Sequence, residues 1–196
     1  MNGFEKRAAL IKEKIKKATL EMLKTWEPKR IRIADISKTA NVSQVTIYNY
    51  FGSKEALLRE VLKDYFNKEL KEFEEYMNGD YSVKEKIEHM IFQNKKSYSE
   101  LTLNVINELL IEDHDMLHYI EEEYNKRVIP LMIQFINDGK ASGEISSKIS
   151  IQTFLAYINI LRKHSKEFFD MAQQVDNPEF AEELVHLFFY GFCGKS

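Results

Sequence analysis

The 196-residue sequence contains little of what interrupts or crosslinks a protein chain. It holds 7 Gly and 3 Pro, so few positions break regular structure and long helices are expected. Its single cysteine, Cys193, excludes an intrachain disulfide and fits a reducing cytosol. No apolar run approaches the roughly 18 residues that span a bilayer, and no signal peptide opens the chain. These absences predict a cytoplasmic helical protein with no membrane partner.

The sequence also lacks the constellations that carry catalysis. It has no glycine-rich phosphate loop, no cysteine pair and no His-Glu-x-x-His motif. His114, His118 and Glu122 are spaced four apart and would share one helix face, but such acidic helix starts are more often solvated than metal-bound. We predict that the protein is not an enzyme and has no cofactor and no metal site. The alternative, a helical enzyme with a basic head, would be decided by a turnover assay of the body.

Charge is distributed unevenly along the chain. The net charge is −3, which by itself argues against a nucleic-acid partner. Residues 1–54, however, carry 12 Lys and Arg against 5 Asp and Glu, a net charge of +7, and residues 55–196 carry −10. A basic N-terminal segment before an acidic remainder is typical of a DNA-binding head attached to a separate partner domain.

The stretch from Ile33 to Lys54 predicts two short helices joined by a tight turn. Apolar residues at i, i+3 and i+7 give the first helix one buried face. Asn41 tolerates the left-handed backbone that closes such a turn, and Ser43 is a good N-cap for the second helix. Gly52 ends that second helix. Two helices with this connection describe a helix-turn-helix, whose second helix enters the major groove of DNA.

The second helix, from Gln44 to Tyr50, displays hydrogen-bonding groups outward while Ile47 and Phe51 point inward. Amide, hydroxyl and phenol groups of this kind bind base edges and phosphates. Lys54, at the start of the following helix, adds a positive charge suited to a phosphate. The alternative is a helical pair whose polar face is merely solvated. The predicted DNA-binding residues are Ser43, Gln44, Thr46, Tyr48, Asn49, Tyr50 and Lys54.

The segment NVSQVTIYNYFGSKEALL resembles the signature of TetR-type repressors, in which a Val-Ser turn, a Thr-hydrophobic-Tyr core and Phe-x-Ser-Lys-Glu-x-Leu recur. The match covers residues 31–62. Three positions depart from the pattern: Asn41 replaces the usual turn glycine, Val45 replaces a Gly or Pro, and Arg32 stands where Thr is usual. The resemblance implies a homodimer that represses transcription at a palindromic double-stranded DNA operator and releases it when a small-molecule effector binds.

The helical pattern predicts an all-α fold of about nine helices. Residues 1–52 are expected to form a three-helix helix-turn-helix head, and residues 53–196 a larger helical body for effector binding and dimerisation. The first helix, from about Phe4 to Trp26, would cover the motif with an apolar stripe that ends in Trp26 itself. A helix from Ser53 to Met77 would run from the head into the body. A later long helix is expected to bend at Pro130.

Two kinds of contact are expected in the body. Ligand pockets are apolar with a few placed polar groups, although a polar side chain in an apolar stripe is more often a hydrogen-bonded core residue. The ligand-binding candidates, for a largely apolar effector, are Asn94, Tyr98, Tyr157 and Asn159. The last two helices, with apolar residues such as Phe154, predict a four-helix bundle between two copies. The alternative is an adaptor whose body binds a protein partner; it would show a flat apolar patch and no ligand-sized cavity.

Overall fold

The computed structural model of the chain describes residues 3–83, 85–86, 101 and 113–163, together with residues 183, 186 and 187. These residues form helices and turns, with no strand among them, which confirms the all-α fold class. The chain divides into two compact units. Unit 1 comprises residues 1–74 and 96–127, and unit 2 comprises residues 75–95 and 128–196.

Seven helices occur in the described part of the chain. They are α1 (Gly3–Leu23), α2 (Ile33–Ala40), α3 (Gln44–Phe51), α4 (Lys54–Met77), α5 (His114–Glu123), α6 (Ile129–Ser142) and α7 (Ile151–Lys163). A 3₁₀ turn, Pro28–Arg30, precedes α2, and a π turn, Tyr124–Val128, joins α5 to α6. The helix predicted from Ser53 to Met77 is confirmed by α4. The helix predicted before the C terminus lies outside the described residues, apart from three isolated positions.

One hydrophobic core holds α1, α2, α3 and the first half of α4 together in unit 1. Leu101 and Met116 join the same core. Burying these side chains removes apolar surface from water, which is the main source of stability for a helical unit of this kind. The principal members are Ile15, Met22, Leu23, Ile36, Ala40, Ile47, Phe51, Leu57, Leu58, Val61, Leu62 and Tyr65. α3 is therefore fixed by the same packing that fixes α4.

α1 ends earlier than the sequence predicted, and Trp26 lies off its apolar stripe. The helix stops at Leu23, which is fully buried. Pro28 opens the 3₁₀ turn and holds the preceding residue, Glu27, in extended backbone at φ −63° and ψ 137°, because the proline ring disfavours helical geometry there. The helix cannot continue into that geometry, and Trp26 is 45% exposed. The prediction that Trp26 covers the motif is wrong.

Where the sequence predicted a bend at Pro130, the structure shows a π turn just before it, at Tyr124–Val128. A proline inside a regular helix lacks an amide donor, and its ring clashes with the carbonyl group four residues earlier, here that of Lys126. A wider π turn relieves that clash. Pro130 then lies in the first turn of α6, where its missing amide costs nothing.

Unit 2 has its own small apolar core, where α6 contacts α7. The rings of Phe135 and Phe154 lie 6.5 Å apart, and both side chains are buried. Gly139 is buried in α6, where an added Cβ would stand 2.5 Å from the Cδ1 atom of Ile145. Phe154 was among the apolar residues expected to pair with a second copy. It is instead buried within one chain, because Phe135 already packs against it.

Candidate nucleic-acid interface

The turn between α2 and α3 is closed by Asn41, as the sequence predicted. Asn41 adopts left-handed backbone, φ 47° and ψ 56°. Its amide donates to the carbonyl oxygen of Lys38 at 3.1 Å, and the amide of Val42 donates to that of Ser37 at 3.0 Å. This pair of bonds is the Schellman arrangement, which satisfies carbonyl groups that the end of a helix leaves free. The two helices of the motif are thus joined by a short, hydrogen-bonded turn.

Ser43 caps the recognition helix α3. Its Oγ accepts from the backbone amide of Thr46 at 3.0 Å and lies 2.8 Å from the Oγ1 of the same residue. The cap satisfies one of the free amides at the helix start, and the two hydroxyl groups together retain one hydrogen for an outside acceptor. α3 ends at Gly52, whose φ of +77° is backbone that side chains rarely adopt.

α3 presents an inward apolar face and an outward polar face. Ile47 and Phe51 are buried, whereas Gln44 and Asn49 are exposed and Tyr48 is 50% exposed. The exposed amides lie on the side of the helix that is free to meet a base edge. This division agrees with the pattern that the sequence predicted.

Three further residues of the predicted set are placed differently from the exposed amides. Tyr50 is partly buried and packs against the unit 1 core, so much of its ring is already in contact with protein. Thr46 is partly buried beside its capping partner. Lys54 is partly buried at the first residue of α4, one residue after the cap formed by Ser53, whose Oγ accepts from the amide of Ala56 at 3.0 Å.

Val45 is an exposed residue of α3 that the sequence prediction treated only as a departure from the family pattern and did not count among the DNA-binding residues. Its side chain is 65% exposed on the recognition helix. An apolar group at such a place suits contact with the methyl group of thymine in the major groove. Its position beside Gln44 in the first turn was the available signal, because the first turn of a recognition helix is where side chains reach bases.

Arg32 is a second candidate DNA contact that the sequence prediction treated only as a departure from the family pattern. Arg32 precedes α2. Its guanidinium donates to both carboxylate oxygens of Asp35, from Nε at 2.8 Å and from Nη2 at 3.1 Å. The hydrogen bonds from Arg32 lower the pKa of Asp35. The Arg32 side chain is 76% exposed, so the remaining N–H donors face water at the start of a helix, a place that favours phosphate.

The ligand-binding residues predicted in the body are mostly beyond what the structure describes. Asn94 and Tyr98 lie outside the described residues, as does the side chain of Asn159. Tyr157 is placed on α7 and is 43% exposed. The prediction of a ligand site at these four residues stays a prediction.

A cleft of about 130 Å³ opens in unit 2. Half of its lining side chains are apolar and half are polar or charged. The lining residues are Met77, Tyr81, Val83, Lys86, Leu131, Gln134, Phe135, Asp138, Ser142 and Glu144. Its volume is below the roughly 300–1,000 Å³ of sites that enclose a small molecule, so this cleft does not by itself accommodate an effector.

The described ranges hold neither a cluster of metal ligands nor a membrane-spanning helix. No group of three or more His, Cys, Asp or Glu side chains there is placed to hold a metal ion; His118 Nε2 lies 3.4 Å from a carboxylate oxygen of Glu122 as an isolated pair. Within the same ranges, no helix is both long enough and apolar enough to cross a bilayer.

A capped recognition helix, a short bonded turn and a polar outward face define a helix-turn-helix protein of the DNA-binding class. Comparison with known proteins agrees with this class. Residues 15–61 match the model of the family described as bacterial regulatory proteins, tetR family. The chain is 24% identical over 181 residues to the uncharacterized HTH-type transcriptional regulator YvdT of Bacillus subtilis, covering 90% of this chain and 91% of that protein.

Solved structures show the same fold at low sequence identity. The reduced form of NemR from E. coli has a TM-score of 0.71 at 17% identity, covering 95% of this chain and all of that one. The transcriptional regulator FadR from Bacillus subtilis, in complex with stearoyl-CoA, has a TM-score of 0.65 at 19% identity, covering 92% and 98%. Through its helix-turn-helix segment, residues 15–61, the chain is similar to the tetR family of bacterial regulatory proteins. The chain is a DNA-binding transcriptional regulator and not an enzyme.

Proposed function

We propose that this regulator represses transcription by binding a palindromic operator as a homodimer and that a small, largely apolar effector releases it. The observation that carries the proposal is the recognition helix: it is capped, fixed to a core, and polar only on its outward face. Residues 1–52 serve as the DNA-binding head and residues 53–196 as the effector-binding and dimerisation body. Such a repressor acts on DNA in the cytoplasm.

The DNA contacts of the head are of two kinds: some side chains contact base edges and read the sequence, and others bind phosphates and position the protein. Gln44 reads a base edge because its amide is exposed on the first turn of α3, where it pairs best with adenine, and Val45 contacts a neighbouring thymine methyl. Asn49 lies further along the same exposed face. The remaining residues bind phosphate oxygens through hydroxyl, ammonium or guanidinium groups: Ser43, Thr46, Tyr48, Tyr50, Lys54 and Arg32.

A palindromic operator requires two DNA-binding heads and therefore a dimer. Two heads must meet successive major grooves about 34–36 Å apart, which one chain cannot do. Exposed apolar residues toward the C terminus support a copy-to-copy surface: Ile160 on α7 is 55% exposed and Leu187 is 37% exposed. A two-fold axis would bring these residues against their copies.

A solved structure of the same fold supports an apolar effector. FadR of Bacillus subtilis, which has the same fold, is in complex with stearoyl-CoA, so a body of this architecture can hold a long acyl chain. We place the effector around Asn94, Tyr98, Tyr157 and Asn159. Effector binding need only favour an arrangement of the two heads that no longer matches the groove spacing.

Selection of binding sites from random duplex DNA tests the repressor proposal. The expected product is an inverted repeat whose half-site centres are about 10–10.5 bp or a multiple of that apart. Light scattering should give twice the chain mass of 23.2 kDa. A single unrepeated site bound by a 23.2 kDa monomer would contradict the dimer model.

The effector is tested on the selected operator with stearoyl-CoA as the probe and coenzyme A as the matched control. Release of labelled DNA by the acylated compound alone is expected. If neither compound releases DNA, an acyl-chain effector is rejected.

A further inference from the structure

Arg127 forms the most extensively hydrogen-bonded ion pair in the described part of unit 1. Its Nε and Nη2 each donate to one carboxylate oxygen of Glu74 at 2.6 Å. Its Nη1 lies 3.2 Å from both a Glu123 carboxylate oxygen and the Oδ1 of Asn67. Tyr119 donates its hydroxyl to that same Oδ1 at 2.9 Å. One guanidinium thus ties the distant part of α4 to the π turn that follows α5.

The Arg127 cluster is the last of several polar contacts between α4 and α5. At the other end, Arg59 Nε donates to Asp113 at 2.7 Å, and Lys63 lies 4.5 Å from the ring centroid of Tyr119. The residue numbers of the two partners in each contact increase together along α4 and α5, so α5 runs parallel to α4. A polar seam of this kind fixes rotation and register, because each bond is satisfied at only one alignment.

Electrostatics at the cluster favour the paired state strongly. The hydrogen bonds from Arg127 lower the pKa of Glu74, and those from Glu74 raise the pKa of Arg127. The side chains of Arg127, Glu74 and Glu123 are only 21%, 28% and 20% exposed. Without the guanidinium, two poorly solvated carboxylates would repel one another across the joint between the helices.

α4 converts the alignment at this cluster into the position of the recognition helix. Leu57, Leu58 and Val61 of α4 share one core with Ile47 and Phe51 of α3. Glu74 lies seventeen positions after Leu57, which is about 25 Å of helix. A tilt of α4 by about 5° would therefore displace its far end, at Glu74, by about 2 Å relative to the core. If the position of Glu74 is not fixed, the orientation of the head that is packed on α4 is not fixed either.

We infer that Arg127 is a positioning residue for the DNA-binding head, acting on it through α4. The inference rests on the proposed operator binding as the activity that is positioned. Arg127 narrows the range of α4 orientations, and an operator accepts only a narrow range of head positions. Loss of the hydrogen bonds made by Arg127 lowers the fraction of molecules whose heads are positioned to bind the operator. The apparent operator affinity falls in proportion to that fraction.

The test compares operator affinity in full-length wild type, Arg127→Gln, Arg127→Lys and the control Lys68→Gln. Lys68 is an exposed cation of α4 whose ion pair, with Glu72 at 3.6 Å, stays within that helix. Arg127→Gln should weaken operator binding about tenfold, and Arg127→Lys less, because an ammonium cannot reproduce the paired fork. Lys68→Gln should bind as wild type does.

Two further measurements separate positioning from general damage. Trp26 is the single tryptophan and lies in the head, so its emission reports whether the head is folded. Its spectrum and the affinity for scrambled DNA should be unchanged in Arg127→Gln. Glu74→Gln, which leaves Arg127 paired with Glu123, should lower operator affinity in the same direction and serves if Arg127→Gln folds poorly.

Wild-type operator affinity in both Arg127→Gln and Glu74→Gln would overturn the inference. An affinity loss accompanied by a red-shifted Trp26 spectrum would also overturn it, since the cluster would then be structural only. A wild-type chain that selects no operator defeats the proposed function itself, and the inference falls with it.

Discussion

Ser43 is expected to have two separable roles, as cap of α3 and as phosphate contact, and the chain contains a matched control for the first. Ser150 caps α7 with the same geometry: its Oγ accepts from the amide of Thr153 at 3.0 Å and lies 2.8 Å from its Oγ1, the distances seen at Ser43 and Thr46. Replacing either serine by alanine removes one capping bond. The two variants should therefore lose similar stability and differ in DNA binding.

The stability loss at each cap is about 1 kcal/mol, the usual cost of an N-cap serine changed to alanine. The hydroxyl pair adds little because it is exposed to water. For a chain of this size about 1 kcal/mol corresponds to a fall of about 2–4 °C in melting temperature. Circular dichroism should show this shift in both variants, whereas Trp26 emission should report the destabilisation of the head in Ser43→Ala only.

DNA affinity distinguishes the two positions. Ser43→Ala should lose about fivefold in affinity for the operator, because a frayed α3 start and a missing hydroxyl together cost about 1 kcal/mol. Ser150→Ala should bind DNA normally. Ser43→Asp keeps a capping oxygen and so should keep stability, yet its carboxylate should repel phosphate and weaken binding to every duplex. Wild-type DNA affinity in Ser43→Asp would refute the placement of Ser43 against phosphate.

Three further outcomes are expected. Gly52→Ala forces a side chain into backbone at φ +77° and should cost about 1–2 kcal/mol in urea unfolding; an unchanged midpoint would contradict this. Arg32→Ala should reduce the slope of log affinity against log salt by about one unit, and a slope equal to that of wild type would remove Arg32 from the interface. Glu74 has a folded pKa below its ordinary value of 4.5, so its stabilising effect is complete above that pH and is lost as pH falls through the folded pKa. The difference in unfolding free energy between wild type and Glu74→Gln, about 1–3 kcal/mol at pH 7, should therefore shrink below about pH 4.5; a difference constant with pH would disprove the pairing.

Local signals made the helix-turn-helix predictable from sequence. Asn41 closes the turn because few other residues adopt left-handed backbone at low cost, and Ser43 and Ser53 cap helices because their hydroxyls reach free amides. Each of these effects acts within a few residues, where sequence spacing is an adequate guide to distance. The Arg32–Asp35 pair had the same i, i+3 signal and could have been found in this way.

Features that depend on distant partners were not predictable in the same manner. Glu74 and Arg127 are 53 positions apart, so no spacing rule joins them. Phe154 looked available for a second copy, and only the position of Phe135 shows that it is buried in one chain. Trp26 was misplaced because helical periodicity was extended past the point where Pro28 changes the backbone.

The central claim is that Gln44 of α3 reads the base sequence while Lys54 binds a DNA phosphate. The most direct test of it is a salt titration of DNA affinity on the selected operator and on scrambled DNA. Lys54→Ala should weaken binding to both duplexes alike and reduce the salt slope by about one unit. Gln44→Ala should leave the slope nearly unchanged, cost about 1–3 kcal/mol on the operator alone, and relax the preference at one base pair per half-site. Equal losses on both duplexes for Gln44→Ala would show that it is not a base reader. If neither variant changes affinity, α3 is not the recognition helix.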